Sequence, residues 1–78
     1  MITVTDPLIE FGGALRQVRK LRGLSQEDLA LICGIDRTYI SGLERGRRNP
    51  TLKVILLIAA KLGVTPSQLL ENIELKNG

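Results

Sequence analysis

Residues Ser25–Gly46 read SQEDLALICGIDRTYISGLERG, and the punctuation of this stretch decides the fold. Ser25 has a hydroxyl that can accept a hydrogen bond from the first-turn amides of a helix. Glu27 and Asp28 follow it, where the helix macrodipole favours acids. Leu29, Ala30 and Ile32 supply an apolar side, and Gly34 is a helix stop that also permits a sharp turn. Asp36 then caps a second helix, Arg37 to about Arg45, which Gly46 ends. Ile40 and Leu43 form its apolar side, with Tyr39 flanking. Ala30 falls where the two helices cross closely and a small side chain is needed. Ile35, Ile40 and Leu43 are placed to pin the second helix to the rest of the domain.

The same signals extend in both directions. Asp6 followed by Pro7 is an N-cap with proline at the first helical position. Leu8, Phe11, Leu15 and Val18 then form one stripe at helical spacing, widened by Ala14 and Leu21. Arg16, Gln17, Arg19, Lys20 and Arg22 fall mostly off the stripe, and Gly23 ends the segment. Gly12 and Gly13 each cost roughly 1 kcal/mol relative to alanine inside a helix, so this helix is expected to start late or fray. Downstream, Thr51 caps a helix over Leu52–Leu62 that Gly63 ends. Thr65 with Pro66 starts a last helix reaching about Asn72. No repeat, low-complexity run or strand-like alternation is present. The expected fold is an all-α, five-helix bundle, a single domain over 1–78 with its two-helix centre at about 25–45.

The fourth helix is apolar on every face. In TLKVILLIAAKLG, residues 51–63, only Lys53 and Lys61 are charged. A helix of this kind is normally buried all round, which a chain of 78 residues does not easily achieve. Two readings follow: a central core helix, or a helix with one face in the core and another against a second subunit. Leu69, Leu70, Ile73 and Leu75 extend the same apolar surplus. The second reading makes about 52–75 a dimerisation region, with Leu52, Leu56, Leu69, Leu70 and Ile73 at its interface.

Composition narrows the function. Phe11 and Tyr39 are the aromatic residues, so the core is aliphatic, and a core this small often gains stability by oligomerisation. The net charge is +3, with a pI near 9.5. Residues 1–34 hold four basic and four acidic side chains, and residues 54–78 hold two of each. Residues 35–53 hold five basic (Arg37, Arg45, Arg47, Arg48, Lys53) against two acidic (Asp36, Glu44). The excess is confined to one window, the footprint of a phosphate-binding surface. The single Cys33 allows no intramolecular disulfide or cysteine cluster for zinc, and reads as a small buried hydrophobe. There is no histidine, the commonest general base and metal ligand. With no nucleophile–base pair either, an enzyme is not expected, and no cofactor or metal is implied. No signal peptide or membrane-spanning run is visible, so a reduced cytoplasmic setting is the default.

Two helices joined by a turn of about three or four residues containing glycine describe a helix-turn-helix. From about 14 to 72 the chain resembles the phage repressor/Cro-type (XRE-like) helix-turn-helix domains, the lambda repressor-like DNA-binding fold. The segment DRTYISGLERGRRNPT, the short length and the lack of a second domain most resemble controller proteins of restriction–modification systems. In that family the third helix enters the major groove of double-stranded DNA. The resemblance therefore implies base contacts from Arg37, Thr38, Tyr39 and Ser41. Arginine suits guanine because its fork can donate to O6 and N7 together. Gly42 is a departure, since many relatives carry a long polar side chain there. Fewer direct base contacts and more reliance on DNA shape are then expected.

The resemblance also implies phosphate contacts from Gln26, which braces the third helix, and from Arg47, Arg48 and Asn49 in the loop after it. It implies a structural ion pair between Arg19 and Glu44. The function implied is transcriptional control by a homodimer on a two-fold symmetric operator in its own operon. In the controller pattern the protein activates at low concentration and represses at high concentration. RNA polymerase would be a further partner, with Glu27 or Asp28 as the acids to meet it. A phage-type repressor or antitoxin of the same fold is the alternative, and a protein–protein adaptor that binds no DNA is another. The plain readings are a solvated Arg37, Tyr39 packed on the first helix, and Arg45 capping its own helix. Arg47 and Arg48 would then be ordinary loop charges.

Overall fold

The computed structural model describes residues 6–71 and 73. Five α-helices follow in order: α1 (Pro7–Leu21), α2 (Gln26–Cys33), α3 (Arg37–Glu44), α4 (Leu52–Leu62) and α5 (Pro66–Leu70). α1 packs on α3 and α5, α2 packs on α3 and α4, and α4 closes against α5. No strand occurs among the described residues.

Local chemistry sets the helix ends. At α2, Ser25 Oγ accepts from the Asp28 amide at 2.9 Å, and the Asp28 carboxylate accepts from the Ser25 amide at 3.0 Å. This reciprocal capping box satisfies two amides that the helix cannot. Thr65 and Gln68 form the same arrangement at α5, and Thr51 caps α4 with its side chain. Gly34 closes α2 at φ 66°, and the next amide, Ile35, donates back to the Ala30 carbonyl at 3.0 Å. Only a residue without a Cβ adopts that conformation freely, so Gly34 sets the turn that aims α3. Asp36 holds the N-cap position of α3, but its side chain makes no capping bond. The Tyr39 amide instead donates to the Asp36 carbonyl at 3.0 Å, and the Arg37 and Thr38 amides stand at an exposed end where solvent can satisfy them. α5 is shorter than the sequence suggests and ends at Leu70. Asn72 and Leu75 lie outside the described residues.

Leu15, Leu29, Ile40, Leu43, Ile58 and Leu69 are fully buried, and Phe11, Ala30, Cys33, Ala59 and Leu62 complete the core. Each fully buried Leu or Ile contributes about 1.5–3 kcal/mol relative to an exposed one. Several expectations are corrected by this packing. Leu69 is 0% exposed, so it is a core residue of the domain and has no surface to give to a subunit interface. Leu21 ends α1 beyond the edge of the core and is exposed. On α2, Cys33 rather than Ile32 joins Leu29 and Ala30 inside, because positions 29, 30 and 33 share one helical face. Burial pushes the Cys33 thiol pKa up, in keeping with a small hydrophobe. α4 is not a central helix: Ile58, Ala59 and Leu62 face inward, while Leu52 is 67% and Leu56 46% exposed. Leu70 and Ile73 are half-buried against the core.

The expected fraying of α1 does not occur. The helix runs unbroken from Pro7, and Gly12 is buried where α1 meets the end of α3. A Cβ on Gly12 would stand 2.3 Å from the Leu43 carbonyl oxygen and 2.6 Å from that of Glu44. Its neighbour Gly13 is exposed, and a Cβ there would meet nothing within 4 Å. The two substitutions should therefore differ in sign. Gly12→Ala should destabilise by about 1–3 kcal/mol through overpacking against backbone. Gly13→Ala should stabilise by about 0.5–1 kcal/mol through helix propensity. Urea denaturation of the two variants checks both.

Candidate nucleic-acid interface

A buried polar clamp joins α1, α2 and α3. Arg19, on α1, donates from Nε to Glu44 Oε2 at 2.6 Å and from Nη2 to Glu44 Oε1 at 2.9 Å. Its Nη1 donates to the Leu24 carbonyl at 2.7 Å. Gln26, at the start of α2, donates from Nε2 to Glu44 Oε1 at 3.0 Å. The Arg19 and Glu44 side chains are only 8% and 2% exposed. Burial pushes the Glu44 pKa up, but hydrogen bonds from Arg19 and Gln26 and the charges of Arg19 and Arg16 outweigh it, holding the carboxyl below its usual range. The Arg19–Glu44 pair is thus present, and Gln26 braces the third helix through the same carboxylate. Gln26 keeps a second amide hydrogen for another acceptor.

With its end fixed, α3 presents its first turn outward. Arg37 and Thr38 are exposed, and Ser41 and Tyr39 are half-buried. Tyr39 also packs against the core. The loop after α3 folds back over it. The Arg47 amide donates to the Gly42 carbonyl at 2.9 Å, and the Gly46 amide to the Leu43 carbonyl at 3.1 Å. Arg47, Arg48 and Asn49 are exposed, as is Arg45 at the C-cap of α3. Arg37, Arg45, Arg47 and Arg48 make no salt bridge among the described residues, where Arg19–Glu44 is the one ion pair.

Gly42 has a different meaning from the one its sequence position suggests. It is buried, and a Cβ there would stand 2.7 Å from Cγ of Arg48. The stem of Arg48 covers α3 where Gly42 leaves room. The Arg48 guanidinium carbon lies 6.0 Å from the centroid of the Tyr39 ring, at the edge of cation–π reach. Arg48 is therefore more than a loop charge; it is seated on the exposed side of α3 beside Tyr39. Sequence reading missed this pairing, although a glycine on a polar helix face followed by a long basic side chain in the loop is a signal for it.

The apolar surface lies elsewhere. Leu52 and Leu56 stand one turn apart on α4. An open groove of about 170 Å³ is lined by Pro7, Leu8, Phe11, Ile55, Leu70 and Ile73, with Asn49 and Pro50 at its edge. Among the described residues no helix is long and apolar enough to cross a membrane.

A family model described as helix-turn-helix matches residues 15–69. The control protein C.MunI of a Mycoplasma species is 43% identical over 72 residues, which cover 91% of this chain and 97% of that protein. The control protein C.BamHI of Bacillus amyloliquefaciens is 48% identical over 62 residues, 78% of this chain and 76% of that one. Among solved structures, the restriction-modification controller protein C.AhdI of Aeromonas hydrophila superposes with a TM-score of 0.78. It shares 48% identity and covers 80% of this chain and 94% of its own.

The clamp makes stability depend on pH. The folded pKa of Glu44 lies below its unfolded value, so its contribution is complete above about pH 4.3 and is lost as the pH falls through the lower folded value. At pH 7, Glu44→Gln should cost roughly 3 kcal/mol, because it leaves the buried Arg19 without a counter-charge. The difference between the two proteins should shrink on acidification below about pH 4. Asp28, held low chiefly by the Ser25 amide, contributes to both proteins and cancels in the comparison. Urea denaturation across that pH range is the measurement.

Proposed function

The chain belongs to the helix-turn-helix family, and we propose that it is a sequence-specific DNA-binding regulator of transcription acting as a restriction–modification controller protein. One observation carries this reading: the clamp of Arg19, Glu44 and Gln26 fixes a helix whose first turn offers Arg37 and Thr38 to solvent without an acidic partner among the described residues. A rigid helix with exposed polar side chains at its start is what major-groove reading requires. The similarity to C.MunI, C.BamHI and C.AhdI supports the controller assignment, and none of these relatives is named an enzyme.

In this proposal Arg37 reads a guanine through its fork, and Thr38, Tyr39 and Ser41 complete the base-facing set. Arg47, Arg48 and Asn49 grip the sugar–phosphate backbone. Gln26 uses its second amide hydrogen on a phosphate, beside the anion-attracting amides at the start of α2. The protein works as a homodimer through the exposed Leu52 and Leu56, with Leu70 and Ile73 of the apolar groove added to them. A symmetric pair then places two α3 helices about 34–36 Å apart on a two-fold operator, one DNA turn between half-sites. Neighbouring dimer sites in its own operon would give activation at low concentration and repression at high concentration, with the protein acting at the cytoplasmic nucleoid. Activation needs contact with RNA polymerase, for which Glu27 is exposed and outside the capping box.

Footprinting on the DNA upstream of its own gene, with protein and salt titrated, should show a bounded, symmetric protected site. Flat, sequence-independent protection would sink the reading. Arg37→Ala should lose about 1–3 kcal/mol of operator binding and relax the preference at one base pair. Arg47→Ala should weaken all sequences alike and reduce the salt slope by about one. Replacing both Leu52 and Leu56 with lysine should shift sedimentation towards monomer and weaken operator binding, while the monomer stays folded because both residues lie outside the core.

A further inference from the structure

We propose that Arg16 is a further phosphate-contact residue, which extends the grip on the DNA backbone from the start of α2 onto α1. Positions 12, 16 and 19 lie on one face of α1. The outer two are fixed against the same residue. A Cβ at Gly12 would stand 2.6 Å from the Glu44 carbonyl oxygen, and Arg19 bonds both Glu44 carboxylate oxygens. Arg16 lies between them, at the seam where α1 meets the end of α3, and is exposed.

The carboxylate beneath is attracted to Arg16 but already carries a closer counter-charge, Arg19, so one positive charge of the trio is left over. Glu44 Oε2 is taken by Arg19 Nε, and Oε1 by Arg19 Nη2 and Gln26 Nε2. Arg16 makes no salt bridge among the described residues. It therefore adds a positive charge near Glu44, the carboxylate that Gln26 also bonds, and the proposed function puts a phosphate at Gln26. A guanidinium has the fork that matches phosphate oxygens. The competing role is structural: a cation near the C-terminal end of α3 is favoured by the macrodipole without touching DNA. The inference rests on the DNA-binding reading and adds an α1 contact to it.

The test uses Arg16→Gln, which removes charge but keeps most of the stem. Lys61→Gln, in the last turn of α4, controls for lost net charge. Binding of each protein to an operator fragment and to an unrelated duplex is measured across salt concentrations, with thermal melting alongside. The expected result is a salt slope reduced by about one for Arg16→Gln on both DNAs and an unchanged slope for Lys61→Gln, with the melting temperature of Arg16→Gln lowered only slightly by the lost attraction to Glu44. An unchanged slope for Arg16→Gln overturns the inference, and a lowered melting temperature with it would assign the residue to the structural role. An equal loss of slope in both variants overturns it too, as an effect of net charge. A wild-type protein with no salt-dependent binding would overturn the regulator reading itself, and this contact with it.

Discussion

The bidentate pair between Arg19 and Glu44, with Gln26 on the same carboxylate, is the constraint on which the domain turns. It ties three helices together at one buried point. Buried ion pairs add little net stability, because desolvating two charges offsets most of their attraction. What they impose is geometry. A carboxylate that must face one guanidinium fork and one amide has few acceptable positions, and the last turn of α3 is held accordingly. Gly12 brings α1 close enough for the fork to reach.

The core supports this arrangement with little material. Six aliphatic side chains are fully buried, and α4 contributes one of them. The rest of α4 is divided between inner and outer surfaces, with large leucines left outside. A domain of this size has too little interior to absorb every apolar residue it carries. The buried polar clamp and the exposed apolar face of α4 are therefore separate features of the same small bundle.

Much of this was legible in the sequence, for local reasons. Ser25, Gly34, Thr51, Gly63 and Thr65 act on their own helices, so the ends of α2 and α4 could be read directly. The Arg19–Glu44 pair was accessible only through family resemblance, because its partners are far apart in the chain. Tertiary packing overrode local propensity elsewhere. Gly12 looks like a weak point in a helix until the carbonyls of Leu43 and Glu44 are seen beside it. Leu69 looks like surplus surface because a helix of five residues is too short to show which face is buried. Asp36 has the right identity and position for a cap and does not act as one.

Gly42 and Arg48 form one unit of variation. Any side chain at position 42 would claim the space that the Arg48 stem occupies, so a change at one position alters what the other can do. Substitutions there will not be additive, and each alone will be a poor guide to the pair. A lineage that acquires a long side chain at 42 must displace the arginine at 48 from the helix surface, exchanging a loop-borne side chain for a helix-borne one at that spot. Divergence of this surface by that route proceeds through paired replacements rather than independent steps.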